Sequence, residues 1–167
     1  MPLVTQLRPG FSASFRKTAD FADVSYPLPF PGSIQMLDGT AANKADLIFA
    51  DQRALGASGT ENLDLAGGLS SPAGDTLTFV KVKGIYVRAA AANGGNIVVG
   101  GAASNAFQGP FAATNDKLNI PAGGYVELVA PVAGWTVTPG TGDLLLIAND
   151  DGAAGATYDI VIIGTSA

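Results

Sequence analysis

Histidine and cysteine are both absent from this 167-residue chain. Without imidazole or thiolate the chain lacks the usual groups for proton transfer near neutral pH and for holding transition metals. The missing cysteine also excludes disulfide stapling and says little about compartment. Charge is scarce: 14% of residues are charged, against roughly 25% in an average globular domain. Either small polar residues cover the surface, or part of it is buried against other subunits, and we expect the second. Long apolar runs are missing too. No stretch approaches the ~20 residues of a membrane span. The first nine residues hold no basic segment leading into an apolar run, so no secretory signal is expected and the product should be made in a cytoplasm.

The charge that is present is unevenly placed. Up to Lys17 the chain carries Arg8, Arg16 and Lys17 and no acid, a net +3. The remainder carries 6 basic and 14 acidic residues, a net −8. A basic tip on an acidic body suits docking on an acidic protein surface. It argues against a body that wraps nucleic acid, which needs clustered Lys and Arg.

Residues 1–45 read as an N-terminal arm. Prolines fall at positions 2, 9, 27, 29 and 31, and Tyr26-Pro27-Leu28-Pro29-Phe30-Pro31 alternates proline with bulky apolar residues. Proline fixes φ and biases its predecessor away from helix, so the arm should be extended, near polyproline II. It carries Phe11, Phe15, Phe21, Tyr26 and Phe30. An extended arm cannot bury such anchors on itself, so they must lie on the body or on a neighbour.

Residues 46–167 carry strand grammar. Glu61-Asn62-Leu63-Asp64-Leu65 alternates polar with apolar and stops at Gly67-Gly68. Further apolar segments follow at Gly84–Arg88, Asn96–Val99, Lys117–Ile120, Tyr125–Ala130, Trp135–Thr138, Leu144–Ala148 and Tyr158–Ile163, with turn residues between them. Phe79 and Val82 break the alternation, and a turn or bulge near Lys81–Gly84 would reset the register. Eight or nine strands at this spacing predict an all-β fold, a jelly-roll-like antiparallel β-sandwich. Leu144–Ala148 and Ile160–Ile163 are apolar on both faces, whereas an antiparallel sandwich normally wets its outer face. These strands need a second cover, from the arm or from a subunit across a symmetry axis.

Chemistry-bearing motifs are sparse. Asn149-Asp150-Asp151-Gly152 has oxygen ligands for a cation but lacks the spacing of a calcium loop, and its residues are those a tight turn wants. Gly94-Gly95 and Gly100-Gly101 precede no Lys-Ser/Thr pair and read as turn glycines. Glu61 and Asp64 read as the exposed side of an alternating strand rather than as a hydrolytic pair. Trp135 and Tyr125 fit a sugar-binding face or, more simply, core and edge filling. No catalytic residue, cofactor or metal ligand is expected.

Two sets of segments carry a resemblance. One is Glu61–Leu69 followed by Thr76–Lys83. The other is Val98–Phe107, Gly140–Leu145 and Thr157–Gly164. Together they resemble small structural proteins of tailed bacteriophages over residues 46–167. The resemblance implies a non-enzymatic virion component, first a capsid decoration or cement protein that binds the major capsid protein. A tail, fibre or adaptor part, or a receptor- or carbohydrate-binding module, is the alternative. We expect a homotrimer located in the virion, with no nucleic-acid or membrane partner. The expected partner-binding residues are Phe11, Phe15, Arg16, Tyr26, Phe30, Val161 and Ile163.

Overall fold

A computed structural model describes residues 2–8, 10–17 and 24–167, with backbone alone at Phe11, Phe15, Arg16, Lys17, Val24, Tyr26, Phe30 and Pro31. The leader holds four strands: β1 (Thr5–Leu7), β2 (Gly10–Lys17), β3 (Val24–Pro31) and β4 (Ile34–Met36). The body holds β5 (Leu47–Leu55), β6 (Thr60–Asp64), β7 (Leu69–Ser70), β8 (Thr76–Leu77), β9 (Lys81–Ala89), β10 (Ile97–Val99) and β11 (Leu118–Ile120). It continues with β12 (Tyr125–Val129), β13 (Trp135–Thr136), β14 (Leu144–Asn149) and β15 (Ala156–Thr165). No helix occurs among the described residues.

Two antiparallel sheets form the body, ordered β11-β10-β14-β6 and β12-β9-β15-β5, with β13 also pairing β9. The expected all-β sandwich is what the chain builds. Numbered one to eight along the chain, these strands run 5-4-7-2 in one sheet and 6-3-8-1 in the other. Consecutive strands therefore change sheet at every step except between β10 and β11.

Period-two alternation sets the core. Leu145 and Ile147 from β14, Ile97 and Val99 from β10, and Tyr158, Ile160 and Ile162 from β15 are all buried between the sheets. Each aliphatic side chain removed from water in this way contributes roughly 1.5–3 kcal/mol. The residues between them on β14, Leu144, Leu146 and Ala148, are half-buried on the far face.

Of the turn or bulge expected near Lys81–Gly84, the chain forms the bulge. Gly84 pairs with Ile163 and Val82 with Gly164, so Lys83 is the extra residue on β9. The shift keeps Val82 in the core together with Ile85 and Val87, although the spacing between them is uneven. Lys83 is buried, and its Nζ donates to the carbonyls of Pro131 (3.3 Å) and Val132 (2.7 Å). Burial, reinforced by the nearby Lys81 charge, lowers the pKa of this ammonium. In the alternating stretch Thr76–Phe79 only Thr76 and Leu77 pair, with Ser70 and Leu69.

The leader differs from the single extended segment expected of it. It folds back on itself as two antiparallel ladders, β1 with β4 and β2 with β3. Polyproline II and an antiparallel strand share nearly the same ψ, so the prolines did not distinguish them. The partner strand decides.

A candidate docking arm and an open sandwich edge

The base of the leader is attached to the body. Met36, Ala45 and Ile163 form a second buried cluster, with Leu3, Leu7, Ile34, Ile48 and Val161 packed against it. β1 and β4 therefore lie over the outer face of the sheet at β15 and β5. The Leu3 N–H donates to Asp38 Oδ1 at 2.8 Å, and the Asn43 N–H donates to the Pro131 carbonyl at 2.9 Å. Gly84 packs closely beneath this cover: a Cβ there would meet Ile163 Cγ1 at 3.0 Å and Cδ1 at 3.1 Å, so the Ile163 side chain would have to shift.

This arrangement corrects the reading of Val161 and Ile163 as partner-binding residues. Ile163 is 2% exposed and Val161 is half-buried, both beneath the chain's own leader. The second cover that β15 needs comes from within the molecule, so its two-sided apolar pattern is no argument for a neighbouring subunit.

The hairpin β2–β3 continues outward from that base. Its register pairs Phe11 with Phe30, Ala13 with Leu28, and Phe15 with Tyr26. The alternate pairs are Gly10 with Pro31, Ser12 with Pro29, Ser14 with Pro27, and Arg16 with Ser25. Alternation places the first set of positions on one face of the ribbon and the second on the other. A hydrogen bond of 3.3 Å between the Ser14 and Ser25 hydroxyls confirms that these two share the polar face. As side chains, the expected anchors Phe11, Phe15, Arg16, Tyr26 and Phe30 lie outside the described residues, as does Phe21 entirely. Their backbone positions suffice to correct one expectation: the arm's aromatics are set opposite one another across a ladder rather than strung along a single strand.

The prolines give the two edges of the hairpin different characters. Proline has no N–H, so Pro27, Pro29 and Pro31 must occupy the pairs that exchange no hydrogen bond with β2. Their empty amide positions all lie along the outer edge of β3. That edge cannot serve as a full template for another strand. β2 contains no proline between Gly10 and Lys17. The residues opposite those prolines, Ser12 and Ser14, therefore turn both N–H and C=O outward, and among the described residues no strand pairs with that edge.

β5 and β6 are the terminal strands of their sheets, and the Arg53–Glu61 bridge places them on the same side of the sandwich. That charged bridge joins them across the interior. Arg53 on β5 donates from Nε to Glu61 Oε2 at 2.8 Å, with its Nη2 on the same oxygen, and Nη1 reaches Asp51 Oδ2 at 2.9 Å. Tyr158, fully buried on β15, donates its hydroxyl to Glu61 Oε1 at 2.6 Å. Burial alone would raise the Glu61 carboxyl, but the hydrogen bonds from Arg53 and Tyr158 outweigh it and hold its pKa below the ordinary value. Burial, and then the bond to Glu61, push the Tyr158 phenol well up. The Glu61 hydrogen bond likewise pushes the Arg53 guanidinium up.

This corrects the reading of Glu61 as an exposed strand residue: its carboxylate points between the sheets. The signal was available, since an inward Glu on an alternating strand requires a cation, and Arg53 stands eight positions earlier across the Gly56–Gly59 turn. Asp64, the last residue of β6, ties down the turn that follows, its Oδ1 accepting the Ala66 N–H at 2.8 Å. Beside the bridge lies a groove of 430 Å³ lined by β5, β6 and β7, including Asp51, Arg53, Asn62, Asp64 and Ser70. With Arg53 already committed to Glu61 and Asp51, the groove is net acidic.

The other motifs fall into structural roles. Asp150 accepts the backbone N–H and the side-chain amide of Asn96, and Asp151 accepts the N–H groups of Ala153 and Ala154. These carboxylates tie loops together. Gly100 and Gly101 have positive φ, and a Cβ on Gly100 would meet the Asp116 carbonyl at 2.7 Å. Trp135 is half-buried against the core. Tyr125 is 65% exposed, its ring 5.8 Å from that of Tyr86 at the outer edge of the sheet. Among the described residues no three His, Cys, Asp or Glu side chains converge on a metal-sized site. No protein-family model, curated protein or solved structure matches this chain.

Proposed function

We propose that the protein is a non-enzymatic structural component of a tailed-phage virion, in the first instance a capsid decoration or cement protein. On this reading the strand order 6-3-8-1 over 5-4-7-2 is that of a jelly roll, a rigid display scaffold. The observation that carries the reading is the division of labour in the leader. Its base is sealed onto the body by Met36, Ala45 and Ile163, while β2–β3 extends beyond as a ribbon with an aromatic set of positions on one face. A body that needed only to be covered would not require that extension. The ribbon suits insertion between neighbouring subunits, where aromatics supply large contact area at low entropic cost.

Adding the protein back to particles stripped of it tests the proposal. Full-length chain should bind in many copies. Protein with residues 10–31 replaced by a short Gly-Ser bridge should fold, as judged by an unchanged thermal transition, and fail to bind. Absence of the chain from purified particles, or equal binding by the shortened protein, sinks the reading. The exposed Tyr125 ring, tilted against Tyr86, favours a second reading, a glycan-binding face. That reading predicts saturable binding on a glycan array that Tyr125→Ala abolishes.

A further inference from the structure

We infer that the arm joins copies of this chain to one another, the outer edge of β2 adding to the outer edge of β5 in a second copy. Three observations converge on that pairing. β2 is the only edge of the hairpin with its amides intact, because Pro27, Pro29 and Pro31 remove the donors from the outer edge of β3. β2 is eight residues long, and an incoming strand needs an acceptor of similar length to pair its backbone groups. Among the terminal strands of the two sheets, β5 has nine residues, β6 and β12 have five each, and β11 has three. Charge then agrees with length. β2 ends in Arg16-Lys17, and β5 borders the groove that carries Asp51 and Asp64. Strand addition takes affinity from main-chain hydrogen bonds and register from the flanking side chains.

The contact is heterologous, arm to edge, so it generates a closed ring if the rotation closes and an open chain if it does not. It depends on the reading of β2–β3 as a docking element but not on a virion. The two can fail separately: a chain that stays monomeric yet binds stripped particles keeps the proposed function and loses this inference.

The test is sedimentation equilibrium of the full chain. Wild type should associate reversibly, and more weakly at high salt, as expected of a contact between opposite charges. Ser12→Pro combined with Ser14→Pro removes two outward backbone donors that the β2–β3 ladder does not use, together with the Ser14–Ser25 hydroxyl bond, which Ser14→Ala removes alone as a control. The double-proline variant should weaken association by at least about tenfold. Asp51→Lys should do the same from the acceptor side while leaving the Arg53–Glu61 bridge in place, and it decides the matter alone if the proline variant disturbs the hairpin. With no native cysteine, Ser14→Cys mixed with Ala50→Cys gives a direct readout. Oxidation should yield a mixed disulfide dimer between copies. A wild-type monomer at about 100 μM, or association unchanged by both the proline and the Asp51 variants, overturns the inference.

Discussion

Replacing Glu61 with alanine should destabilise the body by about 2–3 kcal/mol, and the reason lies with Tyr158 rather than with the ion pair. Arg53 is about one third exposed and keeps Asp51 as a partner, so the loss of its second carboxylate is worth about 0–1 kcal/mol. Tyr158 has no exposure at all, and its hydroxyl donates to Glu61 at 2.6 Å. Leaving that donor buried and unpaired costs about 1–3 kcal/mol. The assay is urea unfolding of wild type, Glu61→Ala, Tyr158→Phe and the double variant, comparing midpoints at constant slope. Tyr158→Phe alone should cost about 1 kcal/mol, because Glu61 keeps Arg53. In the Glu61→Ala background the same change should cost nothing or restore stability, since it removes the orphaned hydroxyl. The coupling should reach about 1 kcal/mol or more. Additive losses, or a Glu61→Ala midpoint indistinguishable from wild type, would refute the account of this edge.

Two further outcomes follow from the same geometry. The Glu61 carboxyl is held below its ordinary pKa of 4.5 in the folded state. Its contribution is therefore complete above that value and lost as pH falls through the lower folded pKa. Stability curves of wild type and Glu61→Gln should converge at the acid end, and a gap that persists below that pKa contradicts the assignment. Met36→Ala empties the centre of the cluster under the leader and should cost about 2–5 kcal/mol of leader docking. Limited proteolysis should then cleave within residues 1–45 while the body stays intact, whereas unchanged protection would mean that the leader is held by something else.

Much of the body was legible because its cause is local. Alternation at Glu61–Leu65, glycine-rich turns and an unusual spacing at Phe79 and Val82 are each dictated by neighbours in the chain, and each led to the right element or bulge. The core side of β15 was legible for the same reason. What covered its outer face was not, because Met36 and Ala45 meet Ile163 across more than a hundred residues of sequence. The leader was misread for a related reason: alternating prolines restrict φ and ψ but do not specify a partner, so a lone extended chain and an edge strand look alike. The Arg53–Glu61–Tyr158 bridge joins three strands of two sheets, and only the wrapped strand order brings it together.

Backbone amide exchange of the full chain, read residue by residue in dilute and in assembled protein, tests the arm most directly. Amides of β1, β4 and β15 should be protected in both states, because the base of the leader is sealed to the body. The outward amides of Ser12 and Ser14 should exchange quickly when dilute and slow markedly on assembly. Equal exchange at these two positions in both states would show that the free edge of the hairpin takes no part in holding subunits together.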